Sequence, residues 1–184
     1  DLLEALLQYG ANVNHISNKY DTALRMACRH GKTSAIALLL QYSACARYDG
    51  TYKIAYSPLY LCIQNKCDVR IIQALIYRGA QVNRVVSHEP GPLFHAVETY
   101  LRQNKQFGES NLQVVQCLIQ SRANVNEVDA ENETVLMKVV RVKRMKDMVK
   151  LLVDSGSNLF FMNSDGYTAR DLALKDYENI VSSL

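Results

Sequence analysis

The sequence predicts an all-α protein made of repeated helix–turn–helix units with projecting turns. Two short motifs recur along the chain in phase, at a spacing of about 33 residues, which is the spacing of a helical repeat array. Apolar residues between the motifs follow the periodicity of short helices. The chain of 184 residues is long enough for one core, and we expect a single domain over residues 1–184.

The first motif reads Gly-Ala-Asn-Val-Asn at residues 10–14. Intact or degenerate copies begin at residues 43, 79, 122 and 156, so the successive steps are 33, 36, 43 and 34 residues. Glycine suits the end of a helix, where a left-handed backbone conformation is common. The Val-Asn pair that follows enters an extended turn. This motif therefore predicts the end of a second helix and the start of a projecting turn.

The second motif begins with a residue that suits a helix N-cap, followed in two copies by proline. Its copies start at Thr22, Ser57, Gly91, Thr134 and Thr168, with steps of 35, 34, 43 and 34 residues. A leucine and a small residue further on form one apolar face of a short first helix. Those small or apolar residues are Ala27, Cys62, Ala96, Val139 and Ala173. Gly31 is expected to end the first of these helices in a left-handed conformation.

This pattern resembles the ankyrin repeat, whose family motif is Thr-Pro-Leu-His, a small-residue helix, then Leu-Leu and Gly-Ala-x-Val-Asn. The resemblance covers essentially the whole chain and implies an ankyrin-repeat solenoid with projecting β-turn or hairpin fingers. We expect a partial repeat at 1–18, repeats at about 19–52, 53–86, 87–129 and 130–163, and a C-terminal capping repeat at 164–184. The family histidine is replaced by Arg25, Tyr60, Phe94, Lys138 and Asp171. Because the sequence opens inside a predicted helix, we expect it to be a piece of a longer protein.

The resemblance implies a protein–protein interaction module or scaffold that binds a partner peptide or folded domain on its concave face. A groove lined by Arg25, Arg29, His30, Arg102 and Arg141 would favour an acidic or phosphorylated segment, through charge-assisted contacts. The positions where the family usually binds fall here on Lys19, Asp21, Arg29, His30, Lys53, Tyr56, Gln64, Asn65, His88, Glu98, Arg102, Glu131, Glu133 and Arg141.

Two segments depart from the regular pattern. The turn at 48–56 carries Tyr48, Tyr52 and Tyr56, a residue type enriched at binding hot spots, although these rings could also pack the turn onto the next helix. Repeat four holds about ten extra residues within 98–111, and its first helix is expected to run on by one or two turns. This insertion is either a neutral lengthening of a surface loop or an added lip for a partner.

A basic run occupies residues 138–150 and comprises Lys138, Arg141, Lys143, Arg144, Lys146 and Lys150. It is either a solvated outer face or, at Arg141 and Arg144, part of the partner-binding surface. An alternative function is nucleic-acid or anionic-ligand binding through this run, although a net charge of +3 is a weak bias. A further alternative is a regulatory domain of a larger enzyme.

The sequence lacks the motifs of phosphate-binding loops, and its histidines and cysteines lack a metal-ligand spacing. We therefore expect no enzymatic activity, no cofactor and no metal. Five cysteines at irregular spacing indicate reduced, buried thiols and a cytoplasmic or nuclear location. Without an apolar run of about 18 residues, no membrane interaction is expected. The partner is expected to be another protein, with nucleic acid unlikely and the chain itself monomeric.

Overall fold

The computed structural model describes residues 2–18, 20–47, 57–83, 90–103, 109–142 and 145–181. Within these ranges lie ten helices and no β-strand, and one isolated antiparallel bridge joins Val128 and Thr134. The predicted all-α class is confirmed. The chain divides into two compact units, residues 1–82 and residues 83–184.

The first unit consists of helix pairs. Its helices are α1 (Leu2–Gln8), α2 (Ala23–Arg29), α3 (Thr33–Gln41), α4 (Pro58–Gln64) and α5 (Val69–Tyr77). Helices α2 and α4 are the first helices of their repeats and pack against each other. Helices α3 and α5, the second helices, pack against each other and against the first helix of their own repeat. Each repeat is therefore a helical hairpin stacked on the next.

The second unit follows the same plan. Its helices are α6 (Pro92–Gln103), α7 (Glu109–Gln120), α8 (Val135–Val140), α9 (Lys146–Asp154) and α10 (Ala169–Val181). The first helix α8 lies between the first helices α6 and α10 and contacts both of them. The second helices α7 and α9 each pack on the first helix of their own repeat.

Four of the five first helices begin with a hydroxyl cap at the predicted residue. In each, the hydroxyl oxygen accepts a hydrogen bond from the backbone N–H three residues further on, at 3.1–3.3 Å. The pairs are Thr22–Arg25, Ser57–Tyr60, Thr134–Met137 and Thr168–Asp171. A side-chain cap of this kind satisfies a backbone donor that the helix itself cannot.

These caps correct one prediction. The residue that replaces the family histidine in the fifth repeat is Met137 and not Lys138, because Met137 is the third residue after the cap. Its sulfur also lies 3.5 Å from the backbone nitrogen of Thr134. The backbone N–H of Lys138 instead donates to the carbonyl of Thr134, one position further along the helix. Lys138 therefore does not occupy the position of the family histidine.

Helix α6 starts differently, because Gly91 stands at the cap position and has no hydroxyl. The carboxylate of Glu127, which precedes the next first helix, accepts the backbone N–H of Gly91 at 2.5 Å. A Cβ atom on residue 91 would lie 2.6 Å from Oε2 of Glu127. A side chain at residue 91 would therefore displace the Glu127 carboxylate from this position.

Helix α6 is also longer than the first helices of the first unit. It has 12 residues, compared with 7 in α2 and 7 in α4. This confirms the prediction that the first helix of repeat four runs on. Residues 104–108 of the insertion lie outside the described residues.

The second helices end as predicted, with a residue in the left-handed region. Gly10, Gly79 and Gly156 have φ values of 87°, 91° and 90°. At the equivalent positions Ser43 and Arg122 adopt φ values of 65° and 66°, although they carry a Cβ. The prediction for Gly31 at the end of α2 is likewise confirmed, with φ of 59°.

The core consists of the inner faces of the helices. The leucine of the second motif is buried in α2, α4, α6 and α8, and so are Ala27, Cys62, Ala96 and Val139. The prediction for Ala173 is wrong, because this residue is exposed and lines a surface cleft with Val149 and Val153. In the other repeats a second helix covers this position, and the described residues include no second helix after α10.

Asparagines of the first motif join successive repeats. In each case the side-chain oxygen accepts a backbone N–H of the following repeat, at 2.7–2.8 Å. The bonds run from Cys45 to Asn14, from Asn124 to Asn83 and from Asn158 to Asn126. The Val-Asn pair that was expected to lead into a turn therefore also locks one repeat to the next.

Candidate functional site

Three of the loops that precede a first helix share one conformation, and we call these loops fingers. In each finger a side-chain oxygen accepts the backbone N–H of the residue four positions later, at 2.8–3.2 Å. The backbone N–H of the first residue donates back to the carbonyl of the last. The fingers run from Ser17 to Asp21, from Asp129 to Glu133 and from Asn163 to Tyr167.

Each finger turns at a residue in the left-handed region, one position before its end. These residues are Tyr20, Asn132 and Gly166, with φ values of 58°, 60° and 82°. The resemblance predicted projecting fingers, but the left-handed residue at which each one turns was not predicted from the sequence. Its signal is a residue with a short polar side chain placed five positions before each cap, since such a side chain can bond to backbone two to four residues on.

The side chain of the last residue in each finger contacts the side chain of the residue eight positions later, which lies on or directly after the first helix of that repeat. We call these contacts finger–helix pairs. In the first unit Asp21 binds Arg29, with 2.8 Å between Oδ2 and NH1. In the second unit both guanidinium NH groups of Arg141 bond to the Glu133 carboxylate, at 2.5 and 2.6 Å. The third pair places the Lys175 ammonium 4.7 Å from the ring centroid of Tyr167.

The finger–helix pair of the first unit belongs to a three-residue cluster. The Asp21 carboxylate, of which 8% is exposed, also binds the buried guanidinium of Arg25 at 3.0 Å. Two cationic groups therefore share one carboxylate. The Arg29 side chain is 39% exposed, so one of these two cationic groups reaches the surface.

A cleft of about 680 Å³ lies beside this cluster, between the first finger and α2. It is lined by Asn12, His15, Ser17, Asp21, Thr22, Ala23, Met26 and Arg29. Met26 is 41% exposed, whereas the residues at the equivalent position in α4 and α10, Leu61 and Leu172, are buried. The cleft thus combines a cationic group, polar side chains and an apolar side chain.

The equivalent cluster of the second unit is balanced in charge. The Lys138 ammonium binds Asp129 at 2.6 Å and Glu133 at 2.9 Å, and Arg141 binds Glu133 from the other side. The amide of Asn163 donates to the same Glu133 carboxylate from the next repeat, at 3.1 Å. Two carboxylates thus face two cations. Hydrogen bonding by Arg141 lowers the pKa of Glu133 to about 2, against an ordinary value of 4.5.

One member of the basic run therefore does not lie on a solvated outer face. Lys138 is largely buried within the cluster, 6.0 Å from the ring centroid of Phe94, whereas Arg141 is exposed although it is bound to Glu133. Lys146 and Lys150, further along the run, lie exposed on α9.

The remaining predicted contact residues divide by their environment. His30 and Gln64 are exposed at the ends of α2 and α4. The amide nitrogen of Asn65 instead donates within the protein, to the carbonyls of Cys28 at 2.9 Å and Arg29 at 3.1 Å. Asn65 therefore ties repeat three to repeat two.

Glu98 and Arg102 lie on α6, one turn apart. Their side chains form an ion pair of 3.3 Å in which the carboxylate is 24% exposed and the guanidinium 76% exposed. Arg102 thus extends into solvent. Burial, together with the positive charge of Arg102, lowers the pKa of the nearby His95 to about 4, so this histidine is neutral near pH 7.

Several predicted contact residues lie outside the described residues. They are Lys19, Tyr48, Tyr52, Lys53, Tyr56, His88, Lys143 and Arg144. The interpretation of the tyrosine-rich turn at 48–56 as a binding segment stays a prediction.

Two classes of feature, metal sites and membrane-spanning helices, are absent from the part of the chain that the structure describes. Its His, Cys, Asp and Glu side chains form no group of three or more that could hold a metal ion. No helix among these residues has the length and apolar character needed to span a membrane.

Comparison with known protein families identifies the kind of repeat to which these helices and fingers belong. A family model described as ankyrin repeats in three copies matches residues 1–85 and 105–184. The matched segments contain the fingers and every described helix except α6. They leave out residues 86–104, which include Gly91 and the whole of α6. The chain belongs to the ankyrin repeat family.

Proposed function

We propose that this chain binds an acidic or phosphorylated segment of a partner protein, through the fingers and first helices of its repeats. Ankyrin repeats are generally protein–protein interaction modules. The family therefore supports the class of function, and the choice of an acidic partner rests on charges within this chain.

The observation that carries the proposal is the cluster of Asp21, Arg25 and Arg29. The Asp21 carboxylate binds both the buried Arg25 and the half-exposed Arg29, so two guanidinium groups face one carboxylate. The contact of Arg29 with Asp21 also holds its guanidinium in one orientation, so less side-chain entropy is lost when a partner binds. An acidic or phosphorylated side chain could then form charge-assisted hydrogen bonds with Arg29.

The second unit supports this proposal less strongly. Arg141 is held by Glu133 in the same way, but the cluster around it has no excess charge. Arg141 is therefore expected to contribute orientation and hydrogen bonds, and less long-range attraction than Arg29.

The same charges weigh against nucleic-acid binding through residues 138–150. Affinity for a polyanion grows with the number of phosphates that cationic side chains neutralise. Lys138 and Arg141 are already bound to carboxylates, which leaves fewer cations of this run for phosphate groups.

Selection from a displayed library of random peptides tests the proposal, with wild type compared with Arg29→Ala and with Arg70→Ala. Arg70 lies on the second helix α5, with its side chain 89% exposed, and serves as the matched surface control. We expect the enriched peptides to be acidic, with affinity that falls as salt rises. Arg29→Ala should weaken these peptides about tenfold, which corresponds to roughly 1.4 kcal/mol. Enrichment of neutral or basic peptides, or equal losses in both variants, would contradict the proposal.

A further inference from the structure

Three of the five cysteines come together in the first unit. Cys28 on α2 and Cys62 on α4 are fully buried, and Cys67, which follows α4, is 7% exposed. The thiols of Cys28 and Cys67 lie close enough to the thiol of Cys62 to raise its pKa. Of the three side chains, Cys67 is the nearest to solvent.

The backbone holds Cys62 and Cys67 next to each other. The backbone N–H of Cys67 donates to the carbonyl of Cys62 at 2.9 Å, which closes the end of α4. Lys66 between them adopts a left-handed conformation, with φ of 53°, that turns the chain back. The two cysteines are thus neighbours through the backbone of one helix end, and their proximity does not depend on a movement of the repeats.

The two thiols differ in acidity. Contact with the Cys62 thiol lowers the pKa of Cys67, while contacts with Cys28 and Cys67, together with burial, raise the pKa of Cys62. Cys67 is also the nearer of the two to solvent. Because the thiolate is the reactive form of cysteine, Cys67 is the thiol expected to meet an oxidant first.

We propose that Cys67 and Cys62 form a site of reversible thiol oxidation, in which a hydroperoxide converts the two thiols into a disulfide. The Cys67 thiolate attacks one oxygen of the hydroperoxide, the O–O bond breaks, and the leaving oxygen departs as an alcohol or water after it takes up a proton. Cys67 is then a sulfenic acid. The sulfur of Cys62 attacks the sulfur of Cys67, the S–O bond breaks, and the hydroxyl leaves as water with the proton of Cys62. In sum, one hydroperoxide is reduced and two thiols are oxidised.

The other two cysteines are natural controls. Cys45 is exposed, and Cys117 is buried with Ser121 beside it. Burial raises the pKa of Cys117, so this thiol is expected to react slowly. Oxidation governed by exposure alone would favour Cys45, whereas the proposed site favours the pair of Cys62 and Cys67.

Hydrogen peroxide is the probe, applied to the reduced, folded chain. After remaining thiols are alkylated under unfolding conditions, tryptic peptides are analysed without reduction. Trypsin cleaves after Lys66, so Cys62 and Cys67 fall on separate peptides, 54–66 and 67–70, which only a disulfide can hold together. We expect this linked pair, and we expect a reductant to release it.

The variant Cys67→Ser gives a second experiment, with its fold checked by circular dichroism. In this variant Cys62 should stay reduced over the time in which Cys62 of the wild type becomes half oxidised.

Other results would overturn the proposal. They are oxidation confined to Cys45, a bond between Cys28 and Cys62 in place of the expected one, or oxidation of Cys62 that is unchanged in Cys67→Ser. The linked peptides are read from the wild-type chain, so a variant that fails to fold leaves that part of the test intact. Trapping with dimedone gives a second measurement, since a sulfenic acid on Cys67 should accumulate in Cys62→Ser.

Discussion

Arg141 binds Glu133 across eight residues, with each of its two NH groups bonded to a different carboxylate oxygen. Glu133 ends a finger and Arg141 ends the helix α8, so the pair fixes the finger against the helix. Asp21 and Arg29 repeat this relationship in the first unit. The finger–helix pair therefore has two roles, since it holds the loop and it presents an arginine at the surface.

Protonation of Glu133 should destabilise the protein at low pH. Arg141 lowers the folded-state pKa of Glu133 from 4.5 to about 2, so the stabilisation is complete above pH 4.5 and is lost as pH falls toward 2. The pKa difference corresponds to at most about 3 kcal/mol. Urea unfolding at a series of pH values measures it. In Glu133→Gln the free energy of unfolding should be lower at pH 7 and should depend less on pH below 4.5.

The matched control for this prediction is Glu131→Gln. Glu131 lies in the same finger, but its side chain is exposed. The acid dependence of Glu131→Gln should follow that of wild type. If Glu133→Gln kept the full acid dependence of wild type, the Arg141 contact would not be the source of the stability.

Substitutions in the first-unit cluster should separate stability from binding. Asp21→Ala removes the carboxylate from the buried Arg25, and loss of one partner from a buried pair costs about 3–5 kcal/mol. Arg29→Ala leaves Asp21 with Arg25, and loss of a half-exposed ion pair costs less than about 1 kcal/mol. Thermal and urea unfolding of both variants measure the difference. Equal destabilisation would show that Arg29 is structural and would remove it as a selective probe of partner binding.

The sequence allowed the helix starts and ends to be predicted, because a cap depends on backbone hydrogen bonds within a few residues of one another. Thr22 and Thr134 cap as expected, and Gly79 and Gly156 are left-handed as expected. The clusters were harder to predict, because they depend on how each finger folds back on its helix and on the direction of the side chains there, which the sequence spacing does not specify.

Lys138 illustrates this limit. The basic run indicated a solvated lysine or a phosphate contact, whereas the carboxylates of Asp129 and Glu133 in the preceding finger bind its ammonium. A comparison of the repeats could have revealed part of this arrangement, since an acidic residue just before the cap and an arginine eight residues later occur twice.

The left-handed positions at the ends of the second helices predict opposite effects for two substitutions. Gly156→Ala places a Cβ on a residue with φ of 90°, with nothing within 4 Å of it, so backbone strain alone should destabilise the protein, by about 1–2 kcal/mol. Arg122→Gly relieves such strain at φ of 66° and should stabilise the protein, by roughly 0.5–1 kcal/mol after the entropy of glycine is subtracted. Thermal unfolding measures both. A stabilising Gly156→Ala would contradict the assignment of this strain.

Gly91 and Glu127 should be coupled in a double-mutant cycle. Gly91→Ala forces the Glu127 carboxylate away from a Cβ that would otherwise lie 2.6 Å from Oε2, and the hydrogen bond to the backbone of residue 91 is lost. Loss of a hydrogen bond to a charged group costs about 1.5–3 kcal/mol. Glu127→Ala removes the same bond, so Gly91→Ala should cost clearly less when Glu127 is already alanine. Urea unfolding of the two single variants and the double variant gives the coupling energy. Additive losses would mean that Glu127 does not cap α6. The cost of replacing Gly91 would then not come from its contact with Glu127.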